Sequence, residues 1–137
     1  MKKLYIALAM AMLLALAVPF VVCASDISLL DNNTNYTNTS FDISNDGIAT
    51  VGVRYDGYSN VTTSATISIT IEKRNLLFFW SDVVSDTITV SGDYYSNELT
   101  YQLDGTGTYR CTVEYVVSGT GGADDVITFE DTKTYSN

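Results

Sequence analysis

The sequence predicts an antiparallel β-sandwich of about seven strands behind an N-terminal signal helix. Three observations carry this. Apolar and polar residues alternate strictly over several runs, as they do in half-buried strands. Gly, Asp and Asn clusters separate those runs at roughly eight- to fifteen-residue spacing. No helical period is found after the first two dozen residues.

The first segment sets the expected compartment. Met1-Lys2-Lys3 is a short positive start, and an apolar stretch runs from Leu4 to Val22. It ends in Val22-Cys23-Ala24-Ser25, with small or apolar residues where a signal peptidase reads. Residues 1–24 are therefore expected to be a cleaved secretory signal. A retained membrane anchor is the alternative, because the stretch nearly reaches spanning length. Lipidation of Cys23 is disfavoured by the bulk of Val22 just before it.

Residues 25–40, "SDISLLDNNTNYTNTS", are rich in Asn, Thr and Ser and offer few core anchors. They are expected to form a flexible polar leader, with the sandwich occupying residues 41–137 and starting at Phe41 and Ile43. "GIATVGVRY" sets Ala49, Val51, Val53 and Tyr55 on one face. "SATISITIEK" sets Ala65, Ile67, Ile69 and Ile71 against Thr66, Ser68, Thr70 and Glu72, and its β-branched content suits a strand. "LLFFWSDVVSDTITV" begins as a continuous apolar run and then alternates. "NELTYQL" groups Leu99, Tyr101 and Leu103; "TYRCTVEYV" groups Tyr109, Cys111, Val113, Tyr115 and Val117; "DVITFED" points Ile127 and Phe129 inward. Turns are expected at Asp46-Gly47, Asp56-Gly57, Lys73-Arg74-Asn75, Ser91-Gly92-Asp93, 104–107 and 118–122. The segments do not repeat one another, so a single domain is expected.

Gly107-Thr108-Tyr109-Arg110-Cys111 is a G-x-Y-x-C motif. It resembles strand F of immunoglobulin-like and fibronectin III-like sandwiches, where a tyrosine closes the corner before the strand. The resemblance implies that Tyr109 bonds backbone a few residues upstream. It bears on fold, not activity. Cys23 leaves with the signal, so Cys111 has no partner within the chain. On the face of Tyr109 and Val113 it is expected to fill the core as a small hydrophobe; an intermolecular disulfide is the alternative.

Candidate binding residues come from the aromatics. If Leu76 to Trp80 continue as a strand, Leu76, Phe78 and Trp80 share one face and Leu77 and Phe79 the other. One set then fills the core, and the other is either covered or left as an exposed strip. Tyr94-Tyr95, Tyr55, Tyr58 and Tyr135 are expected in or near loops, where a flat ring with a polar tip suits glycan or protein recognition. Phe78, Trp80, Tyr94 and Tyr95 are the possible ligand-binding residues; Tyr109 and Cys111 are structural.

Several functions are disfavoured. The chain has no histidine, the usual general base and the commonest metal ligand. Lone Cys111 has no evident activating base. Asp124-Asp125 falls far short of a calcium ligand set and reads as an acidic loop. Paired carboxylates acting on a glycoside remain a minor alternative. No enzyme, cofactor or metal site is expected. After signal cleavage sixteen acids face five bases (Arg54, Lys73, Arg74, Arg110, Lys133), a net charge of −11. That charge disfavours nucleic acid and anionic membrane as partners. The N-x-S/T triplets at Asn32, Asn35, Asn38 and Asn60 are discounted, because the signal has a bacterial look.

From Ile67 onward the chain also resembles an uncharacterised family of short secreted proteins of Gram-positive, largely gut-associated bacteria. The shared stretches read here "ITIEK", "FFWSDVV", "GTYRCTVEY", "VSGTGGADD" and "ITF". The resemblance implies a secreted bacterial β-sandwich, transfers no active site, and makes Cys111 incidental. The expected function is a secreted, non-enzymatic interaction domain for protein or glycan. A surface assembly protein joined through edge strands or Cys111 is the alternative. No sortase motif or apolar tail is visible at the C-terminal end, so covalent anchoring is not expected.

Overall fold

The computed structural model describes residues 31–76 and 79–136. The expected signal, residues 1–24, lies outside them, as do residues 25–30 of the expected leader. Seven strands follow in order: β1 (Thr34–Ile43), β2 (Ile48–Gly57), β3 (Thr62–Arg74), β4 (Trp80–Ser91), β5 (Tyr94–Gln102), β6 (Gly107–Gly119) and β7 (Asp125–Tyr135). All neighbouring strands pair antiparallel. They form a three-stranded sheet, β1-β2-β5, and a four-stranded sheet, β4-β3-β6-β7. The fold is an antiparallel immunoglobulin-like or fibronectin III-like β-sandwich of seven strands.

The period of two dictates this packing. Ala49, Val51, Val53 and Tyr55 of β2 face Ala65, Ile67, Ile69 and Ile71 of β3, with Tyr109, Cys111, Val113, Tyr115 and Val117 of β6 beside them, all buried. Phe41 and Leu103 complete that core, and Ile88, Leu99, Ile127 and Phe129 pack on its margins. Hydroxyls at the tips of the core tyrosines tie the layers together. Tyr115 on β6 meets Thr39 Oγ1 on β1 at 2.6 Å, and Tyr101 on β5 donates to Asp86 on β4 at 2.9 Å. The ring of each is an apolar body and its hydroxyl reaches a polar partner. Tyr55, expected near a loop, is fully buried in β2 and donates to the Gly92 carbonyl at 2.7 Å.

The outward positions along β3 and the facing part of β4 are polar. Ser64, Thr66, Ser68 and Thr70 of β3 stand opposite Ser91, Thr89, Thr87 and Ser85 of β4, a ladder of hydroxyl pairs. Among the described residues no helix is long and apolar enough to cross a membrane.

Two expectations are corrected. The sandwich begins before residue 41, because residues 34–40 lie in β1 and pair with β2 from Thr34 onward. The strand is held by polar anchors. The Asp125 carboxylate accepts the Asn32 and Asn33 amides at 2.8 and 2.7 Å. The fully buried Asn33 side chain donates to the Val117 and Ala123 carbonyls and accepts the Gly121 amide. Thr62 Oγ1 donates to the Asn33 carbonyl. Asp125, expected in an acidic loop with Asp124, is thus a buried latch at the first position of β7.

The second correction concerns the apolar run. Leu76 and Phe79 lie in the β3–β4 hairpin turn, not in a strand. The Asn75 amide bonds the Phe79 carbonyl at 2.9 Å, and the Asn75 side chain accepts the Phe79 amide at 3.1 Å. Lys73 and Arg74, expected in a turn, therefore stay in β3, and β4 begins at Trp80. Leu76 is 98% exposed and Phe79 66%.

Candidate functional site

The four aromatic candidates do not converge. Phe78 lies outside the described residues. Trp80, at the start of β4, is half-buried on the outer face of the four-stranded sheet, opposite Arg74. The Arg110 guanidinium sits 4.5 Å from the centre of its ring. Glu72 fixes that guanidinium, accepting Arg110 Nε at 2.7 Å and lying 2.7 Å from its terminal nitrogen. Tyr95 is half-buried between the sheets, paired with Tyr55 and packed on the core. Tyr94 is exposed on the outer face of the three-stranded sheet. Trp80 and Tyr94 therefore occupy opposite sides of the sandwich.

Tyr94 has other company. Across the three-stranded sheet Tyr36, Asp56 and Tyr94 share one row, and Asn38, Arg54 and Ser96 the next. Arg54 rises between the rings, 5.8 Å from the centre of Tyr36 and 5.4 Å from that of Tyr94. Cations over aromatic faces gain on the order of 0.5–1 kcal/mol at exposed sites. Asp56 holds the same guanidinium at 3.3 Å. Tyr36 and Tyr94 remain 50% and 54% exposed. Beside this platform the next row reads Ser40, Gly52 and Glu98. Gly52 gives the sheet surface a floor without a side chain, and a trough of about 450 Å³ opens there between Asn38, Ser40, Ser96 and Glu98.

Sequence reading missed Tyr36, Arg54 and Gly52. Tyr36 fell in the segment taken as a leader. Gly52 was the available signal, since a glycine inside a strand marks a bulge or a close approach.

The strand-F residues sit in the core. Tyr109 is fully buried and its hydroxyl donates toward the Gly105 carbonyl at 2.6 Å, with the Asp104 carbonyl at 3.0 Å. Lys73 Nζ lies 5.3 Å from the centre of the Tyr109 ring and donates to the Asp104 carbonyl at 2.6 Å. Cys111 is a free, fully buried thiol. Burial, with the Asp131 carboxylate second, pushes its pKa up to about 12. A thiol so raised is almost wholly protonated at neutral pH and is a poor nucleophile. Among the described residues no three His, Cys, Asp or Glu side chains gather closely enough to hold a metal ion.

Two further hollows are present. One, of about 590 Å³, lies beside the latch between Thr34, Thr37, Asp125 and Ile127. The other, of about 520 Å³, lies under the β3–β4 turn between Lys73, Leu76, Val83 and Gly107.

No family model matches the chain, and no curated protein matches it. Among solved structures the chain is similar to the solution structure of AT1g01470 from Arabidopsis thaliana. The TM-score is 0.48 at 12% identity, over 85% of this chain and 89% of that one. A likeness of that size carries no argument about what the chain does.

Proposed function

We propose that the protein is a secreted, non-catalytic recognition module that binds its ligand on the outer face of the three-stranded sheet. One observation carries this reading: Tyr36 and Tyr94 stay half-exposed on either side of Arg54, on a rigid sheet rather than on loops. Exposed aromatic rings beside an arginine are the residue types that dominate recognition surfaces. A sheet fixes their spacing before the ligand arrives, which lowers the ordering cost of binding.

The signal-like start and the resemblance to short secreted Gram-positive proteins support export from a bacterial cell. The absence of histidine supports a non-catalytic role. The test is a pull-down with the secreted protein from culture supernatant and cell-wall fractions, repeated with Tyr36→Ala/Tyr94→Ala. Capture lost in the double variant, with the fold intact by circular dichroism, is the expected result. Capture that survives it would move the binding surface elsewhere.

A further inference from the structure

The trough beside the tyrosine platform allows the ligand class to be named, and this rests on the recognition reading above. Gly52 occupies the middle of β2, where both neighbouring ladders run in unbroken register: Ser40 and Glu98 are its partners and no bulge interrupts either pairing near it. Glycine inside a strand costs stability relative to alanine, because it loses more backbone freedom on folding. Neither a turn nor a positive φ requires it here. Crowding does not require it either. A Cβ at this position would clash only with the Ser40 hydroxyl, the far end of a rotatable side chain that can turn away. What the glycine does is keep the floor of the trough empty, as expected where a ligand approaches the backbone.

The lining decides the chemistry. Asn38, Ser40, Ser96 and Glu98 offer amide, hydroxyl and carboxylate groups to whatever lies over Gly52. At one end the trough meets the Tyr36–Arg54–Tyr94 platform. Those rings flank Arg54 two strand spacings apart, about 10 Å, and Gly52 lies one row further along β2, so a chain of rings running along the strand passes from the platform to the trough. The charges are Arg54 against Asp56 and Glu98, and the guanidinium is already held by Asp56 at 3.3 Å. The surplus is therefore negative, which repels a polyanion and leaves carboxylates free to accept sugar hydroxyls. A peptide strand would need a free sheet edge for its backbone, whereas this surface is the middle of a sheet.

We propose that this trough binds a neutral saccharide chain, with one ring stacked on the tyrosine platform and the next lying over Gly52. Binding is measured by calorimetry and affinity electrophoresis with the whole secreted protein. The probes are soluble laminarin, xylan, galactomannan and xyloglucan, with polygalacturonate as the anionic control. At least one neutral polymer should bind. Gly52→Thr, which fills the floor with a strand-favouring side chain, should weaken it tenfold or more while leaving the melting temperature unchanged or higher. Tyr94→Ala should weaken it likewise. No binding by any neutral polymer, a preference for polygalacturonate, or neutral binding indifferent to Gly52→Thr overturns the proposal. If none binds but the pull-down still captures a protein that Tyr36→Ala/Tyr94→Ala releases, the saccharide is refuted while the recognition face stands. Loss of both removes the face itself.

Discussion

Asp125→Asn is the most informative single change to the fold. The carboxylate receives two short amide bonds, from Asn32 at 2.8 Å and Asn33 at 2.7 Å. Burial pushes the Asp125 pKa up, but those amides, together with the Thr34 side chain and amide, outweigh burial and hold it below the usual carboxylate value. The Thr34 hydroxyl, though near the carboxylate, has no partner at full hydrogen-bonding distance. A carboxamide has one acceptor oxygen, so one backbone N–H would face an NH2 group. Loss of a hydrogen bond to a charged group costs about 1.5–3 kcal/mol, and a stranded buried donor adds to it. The expected cost is about 2–4 kcal/mol, or a fall in Tm of about 10–20 °C for a domain near 100 residues. The assay is urea unfolding followed by Trp80 fluorescence, in parallel with amide exchange at Asn32 and Asn33. The sign with pH follows from the depressed pKa. The contribution is complete above the unfolded value near 3.9 and is lost as pH falls through the lower folded value. Wild type should therefore lose more stability than Asp125→Asn on acidification below about pH 4. A variant within about 0.5 kcal/mol of wild type, the scatter of ordinary surface substitutions, would refute the latch.

Tyr109→Phe keeps the ring and removes the corner bond; it should cost about 1–2 kcal/mol by the same urea assay, and a neutral result would leave the corner without energetic weight. Cys111→Ser places a hydroxyl in the core and should cost about 1–3 kcal/mol; a wild-type melting point would contradict the burial of this position. Arg110→Ala removes the cation over Trp80 and leaves half-buried Glu72 without that partner. The expected cost is about 1–2 kcal/mol, with a red-shifted Trp80 emission; an unshifted spectrum would show that the stacking does not persist in solution.

The core was legible because alternation reports directly which residues face inward. Ile67 to Ile71 and Tyr109 to Val117 announce themselves in this way. Residues 34–40 did not, because β1 there is held by hydroxyls and long-range polar bonds: Asn33 and Asp125 are 92 positions apart. Composition carries no trace of such a pairing. Alternation also tells which face a side chain takes but not which sheet its strand joins. Trp80 and Tyr94 could therefore be named together as candidates, although β4 and β5 belong to different sheets. The run from Leu76 misled for another reason, since apolar residues seldom follow the end of a strand, yet Asn75 bonds Phe79 and Leu76 stands in a turn.

Cys111 turns the interior of the sandwich into a clock. The thiol is fully buried and its pKa is pushed up to about 12, so an alkylating reagent in excess meets a reactive thiolate only when the two sheets part. If Cys23 leaves with the signal, each secreted chain carries one such group, and a single mass increment then marks each molecule that has opened. When reclosing is slow against alkylation, the rate of labelling equals the unfolding rate; when reclosing is fast, it reports the population of the open form. The lone buried thiol thus measures how long the domain stays folded.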